Sequence, residues 1–236
     1  TIGTYQDQEG KSSCKDCPKG TYNALTARTV LSDCKPCDKG TYNDQLRQPA
    51  ESSCRSCIPG QYQPSIGSSS CIDAGRGEYV EGSAATSASK CLPGTANNQV
   101  QQTSCPACTP GFFSPTAGQP TCSKAPTGKY VDTNSATSAS ECLPGTANNQ
   151  VQQTSCSACT LGFFSPNAGE LTCSKAPTGK YVDKNRATFA IDCTIGTYQD
   201  QEVKSSCIDC PKGTYNALTS RTVLSDCLDC GKGTYN

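Results

Sequence analysis

Polar residues dominate this chain, and the apolar positions that interrupt them recur in a fixed setting: cysteine, then glycine three residues on, then Tyr or Phe two residues later. The G-x-[YF] piece predicts a short strand. The polar middle that follows, 23–27 or 114–118, predicts a turn, and the segment ending at the next cysteine a returning strand. Glycine there serves either a positive-φ turn or a close approach to the neighbouring rung. Gly, Pro, Ser and Thr punctuate the sequence too often for a helix of more than a few turns. No apolar stretch is long enough to span a bilayer, and no signal-peptide-like segment opens the chain, which reads as a mature or internal piece.

Internal repetition sets the frame. Residues 1–43 and 194–236 agree at 37 of 43 positions, an offset of 193, and residues 91–141 and 142–192 agree at 41 of 51, an offset of 51. Both offsets derive from one unit of 17 or 20 residues. It starts at the second cysteine of each C-x-x-C, giving starts at 17, 37, 57, 74, 91, 108, 125, 142, 159, 176, 193, 210 and 230. Glycine stands three residues after every start, from Gly20 to Gly233, with Gly3 in the unit that precedes them. An aromatic follows in all but two units, where Ala96 and Ala147 stand. The expected organisation is a continuous tandem array over 1–236, a window of a longer 193-residue repeat. The three extra residues of the longer units are expected in the turn, where insertions cost least.

Three unit starts are alanines: Ala74, Ala125 and Ala176. In each case the first cysteine of the following pair is also alanine, at Ala88, Ala139 and Ala190, 14 residues on, the separation of Cys57 from Cys71. Losing one partner of a disulfide leaves a free thiol, whereas losing both leaves a quiet apolar pair. Cysteines lost two at a time therefore identify the partners. The expected bridges are Cys17 to Cys34, Cys37 to Cys54, Cys57 to Cys71, Cys91 to Cys105, Cys108 to Cys122, Cys142 to Cys156, Cys159 to Cys173, Cys193 to Cys207 and Cys210 to Cys227. Cys14 and Cys230 stay unpaired within this window. The alanine pairs are expected at bridging distance, and their rungs are expected to open first, as compliant joints.

Composition sharpens this picture. Leu, Ile, Val and Phe supply 30 of 236 residues, too few for a conventional core, while 20 cysteines are in the range of disulfide scaffolds. Staples replace the core, so the fold class is a small disulfide-rich repeat: an elongated rod of stacked 17- or 20-residue hairpin-like units, with little helix. So many bridged thiols require an oxidising space, hence an extracellular or cell-surface location. Lys and Arg number 20 against 20 Asp and Glu, with no basic run, which excludes nucleic acid and anionic lipid as partners.

Candidate chemistry is thin. Cys14, Cys17, Cys34 and Cys37 have the spacing of a zinc ribbon, but each C-x-x-C is shared between two units, and the alanine units remove ligands without replacement. No metal or cofactor is expected. Asp132 with Asn134, and Asp183 with Asn185, fall far short of a calcium shell. The chain lacks His and commits its cysteines to bridges, so it offers no acid, base or nucleophile and is not an enzyme. The hydroxyl-rich stretch 133–140 fits O-glycans and a solvated turn equally well, and there is no N-x-[ST] sequon.

Cys14-Lys15-Asp16-Cys17-Pro18-Lys19-Gly20-Thr21-Tyr22, repeated at Cys207 to Tyr215, resembles the ephrin-receptor-like cysteine-rich repeat, itself similar in appearance to TNF-receptor and EGF-type modules. The stretch from Lys129 to Asn134 and on to Cys142 is also similar to ciliate surface (immobilisation) antigens. The resemblance implies an extracellular module from receptor ectodomains, matrix proteins or protist surface proteins. Near-identical copies favour an extracellular structural repeat protein forming a rod, filament or surface coat, with self-association along or between rods. The alternative is the ligand-binding ectodomain of a receptor or surface antigen, in which particular units would depart from the repeat with distinctive aromatic or charged residues.

Overall fold

The computed structural model describes residues 1–231; Gly233, the last glycine of the repeat frame, lies outside the described residues. Twelve two-stranded antiparallel hairpins follow one another along these residues, each strand two residues long. The unit starting at Cys91 is reduced to one bridge, Thr95 to Ala107. Strands this short are stable only when closed and stacked. Each unit therefore acts as one rung, closed across its own loop and bonded to its neighbours.

Two compact bodies are distinguished: Thr1–Cys108 with Ser114–Cys122, and Thr109–Phe113 with the chain from Ser123 onward. In the first, the amide of Gly20 donates to the Asn43 carbonyl at 2.7 Å, while the amide of Cys37 donates back to the Gly20 carbonyl at 2.8 Å. The second repeats the arrangement: Gly162 donates to Val182 at 3.0 Å and Ala176 to Gly162 at 2.8 Å. Every rung is thus clasped to the next through the glycine three residues after its start.

Contacts also reach one rung further, beyond the nearest-neighbour stacking expected from the sequence. The tenth residue after each start has a left-handed backbone. Within each body its amide bonds the opening residue of the rung before, as Arg47 to Cys17 at 3.0 Å and Arg186 to Cys159 at 2.8 Å, and its carbonyl faces the glycine two rungs back. A Cβ added to Gly111 would lie 2.7 Å from the Gln152 oxygen, and one added to Gly162 2.6 Å from that of Val203, distances no real side chain tolerates. Glycine at this position is required by the turn and by the approach together. The tenth position has room for a Cβ, at 3.4 Å or more from its neighbours, and nine non-glycine residues accept its positive φ, Ala27 and Val203 among them.

The extra residues of the longer units form single 3-10 turns, Leu31–Asp33, Glu51–Ser53 and Leu224–Asp226, immediately before the closing cysteine rather than at the hairpin tip. In two of them an aspartate secures the entry. Asp33 accepts the amides of Thr29 and Val30, and Asp226 those of Thr222 and Val223, at 3.1 and 3.2 Å in each case.

Candidate functional site

Nine cysteine pairs are bonded, each joining the second cysteine of one C-x-x-C to the first of the next, over 17 residues in the longer rungs and 14 in the shorter. Their Cα atoms stand 5.6 to 5.8 Å apart. Opening cysteines such as Cys17, Cys57 and Cys159 are buried, and closing cysteines such as Cys54 and Cys71 lie nearer the surface. Cys14 is exposed and Cys230 half-buried, both as free thiols.

The sixth residue after the start is polar and buried in every bridged rung. Asparagines there tie rungs together: Asn43 donates its side-chain amide to the Thr21 carbonyl at 2.9 Å and accepts the Gln45 amide at 3.0 Å. Gln63 closes its own loop instead, donating to Ser70 at 2.7 Å and accepting from Ser65 at 3.0 Å. Ser114 and Ser165 are wholly buried and bond the turn that follows. The aromatics pack onto the closure of the next rung. Tyr22 lines a hollow with Cys37 and Cys54, and Phe164 lies against Ala176 and Val182.

The unbridged rungs differ at more positions than the two cysteines. Their sixth residue is Val80, Val131 or Val182, all buried, and their eleventh is Ala85, Ala136 or Ala187. In the last of these rungs Ala176, Val182 and Ala187 form one buried cluster with Ala190 and Phe164 packed on it, so the two alanines in cysteine places share a single apolar contact set. These rungs also set opposite charges across the hairpin, Glu78 facing Lys90, Lys129 facing Glu141 and Lys180 facing Asp192. No other described hairpin pairs opposite charges at that register. Sequence reasoning on cysteines alone misses these three columns, although laying the units in register displays them.

The outer surface carries local charge pairs. Lys15 meets Asp7 at 2.8 Å and lies over the Tyr5 ring, and Arg55 meets Asp44 and stacks over Tyr42. The Ser220 hydroxyl, 2.6 Å away, and then Lys180 at 3.0 Å hold the Asp192 carboxyl below its usual value. A hydrogen bond from Arg55 does the same for Asp44, and burial pushes the Tyr22 phenol up. Each shift moves its group further from neutrality. Asp132, Asn134, Asp183 and Asn185 are all exposed, and among the described residues no three Cys, Asp or Glu side chains converge as metal ligands. An open hollow lined by Tyr22, Asn23, Leu25, Arg28, Asp33 and Lys35 occupies the tip of one longer rung. Among the described residues no helix is long and apolar enough to cross a membrane.

The rungs correspond to a known module. The family model described as tyrosine-protein kinase ephrin type A/B receptor-like matches residues 1–29, 49–91, 94–142, 145–193 and 179–220, well over half of the chain. The search of curated proteins found no match to the chain. Modules of this type are structural and non-catalytic, and their density of disulfides is that of extracellular proteins. On the matched segments, the repeated hairpins and the bridge pattern together, the chain belongs to the ephrin-receptor-like family of cysteine-rich repeats.

Proposed function

We propose that this chain is a structural element of the extracellular space, a rod that builds a filament or surface coat by associating with further copies. One observation carries this reading: bridged and unbridged rungs alike repeat their backbone bonds to the next rung and the close approach of their glycine to a carbonyl of the rung after it. A stack with such terms is quasi-one-dimensional, and adding copies lengthens it without altering any rung. Side chains of the asparagine column are spent on rung-to-rung bonds, as Asn148 to Lys129 at 2.8 Å, rather than displayed for a ligand. Exposed aliphatics such as Leu46, Ile66, Leu92 and Leu143 are scattered among polar residues, so lateral association is expected to be polar and hydrated.

Negative-stain microscopy and small-angle scattering of the oxidised protein test this. An elongated particle that assembles end to end or side by side as concentration rises supports it. A compact monomer that binds one soluble ligand tightly replaces it with a receptor-ectodomain reading.

A further inference from the structure

We infer that the three unbridged rungs carry a second, redox-independent staple, so that a reductant reverses the order in which rungs open. Ala74, Ala125 and Ala176 open rungs in which four apolar residues stand at fixed offsets, the last being Ala176, Val182, Ala187 and Ala190. Ala176 is fully buried and Val182 and Ala187 nearly so, with Phe164 of the preceding rung packed on the set. An oppositely charged pair spans each of the three hairpins at one register, drawn in to 3.3 Å between Lys129 and Glu141 and 3.0 Å between Lys180 and Asp192. Backbone clasps are retained as well, Val182 donating to Lys204 at 2.9 Å and Cys193 to Gly179 at 2.9 Å.

Bridged rungs are built the other way. Their interior is the disulfide and a buried Asn, Gln or Ser at the sixth position, groups that water solvates readily once the loop is released. A phosphine reductant acts on them alone: phosphorus attacks one sulfur, the S–S bond breaks, water supplies the oxygen of the phosphine oxide and two protons, and two thiols result. The two electrons come from phosphorus. Nothing in the alanine rungs accepts them. In the oxidised protein these rungs lack a covalent tie and open more often than their neighbours, whereas after reduction it is the neighbours that have lost their closure.

The experiment is hydrogen exchange with peptide-level readout on the full chain, over a graded series of tris(2-carboxyethyl)phosphine at neutral pH. Oxidised protein is expected to show faster exchange over 176–192 than over 159–175. With rising reductant, 159–175 is expected to accelerate by roughly tenfold or more before 176–192 changes. Loss of protection in both segments at the same reductant concentration overturns the inference, as does earlier loss in 176–192. A variant guards against general collapse: Cys159→Ala, Ser165→Val, Glu170→Ala and Cys173→Ala together transplant the apolar set. That rung is then expected to keep its protection in reductant, and losing it at the wild-type concentration also overturns the inference.

Discussion

The Cys159 rung and the Ala176 rung that follows it share length, strand register and glycine clasp, yet close their loops by different means. In the first, Cys159 and Cys173 are bonded and the buried sixth residue is Ser165. In the second, alanines stand in both places, Val182 replaces the serine, Ala187 replaces Glu170, and Lys180 faces Asp192. One rung constrains its open state covalently, and the other stabilises its closed state by burial. The comparison teaches that cysteine loss here is one part of a coordinated change of interior, from bridge with buried polar residue to a small apolar set.

Substituting a feature common to both rungs should have the largest effect. Gly162→Ala and Gly179→Ala each place a Cβ against a backbone carbonyl two rungs on, that of Val203 or Ser220, and are expected to cost more than about 3 kcal/mol in the rung concerned. Exchange rates over each rung check this, and unequal costs would show that the two rungs differ in stacking as well as in closure. Removing the bridge by Cys159→Ala with Cys173→Ala is expected to cost about 3 kcal/mol, and peptide mapping without reductant is expected to recover nearest-neighbour pairs throughout. Recovery of Cys14 bonded to Cys17 would break the whole scheme. The reciprocal change, Ala176→Cys with Ala190→Cys, is expected to oxidise spontaneously and add somewhat less than about 3 kcal/mol, because an apolar set already closes that loop. Of the single variants, Ala190→Cys is expected to add one reactive thiol to those of Cys14 and Cys230, and Ala176→Cys, fully buried, to react more slowly.

Smaller effects probe the replacement interior. Val182→Ala is expected to cost about 2 kcal/mol from lost burial, with little change over 159–175. The weakest effect is electrostatic. Since Asp192 titrates below its usual value in the folded chain, its contribution is present above the ordinary carboxylate range and is lost as pH falls through that lowered value. Wild type is expected to lose slightly more protection than Asp192→Asn as pH falls below the ordinary carboxylate range. The difference is small because both partners are exposed.

By itself the sequence determined the repeat frame, the hairpin in each unit and the reliance on disulfides, because spacing, turn chemistry and loop closure are local properties that a chain states in order. Paired alanine replacement likewise singled out Cys159 with Cys173 and its counterparts as loop-closing partners within one unit. Tertiary structure decided the rest. Glycine at position 162 reads in one dimension as a turn residue or as a close approach to the neighbouring rung, but the carbonyl it meets belongs to Val203, two rungs on, and only the rise of the stack brings that residue within reach. The 3-10 turn at Leu31–Asp33 follows from where the closing cysteine must arrive, so the extra residues of the longer unit fall after the 23–27 turn, next to Cys34, and not in the turn itself. Val182, Ala187 and Ala190 lie 5 and 3 residues apart and look unremarkable in sequence. Their meaning as one staple arises because closing the hairpin brings both strands and the preceding Phe164 onto the same small space, which either a disulfide or four apolar side chains can fill.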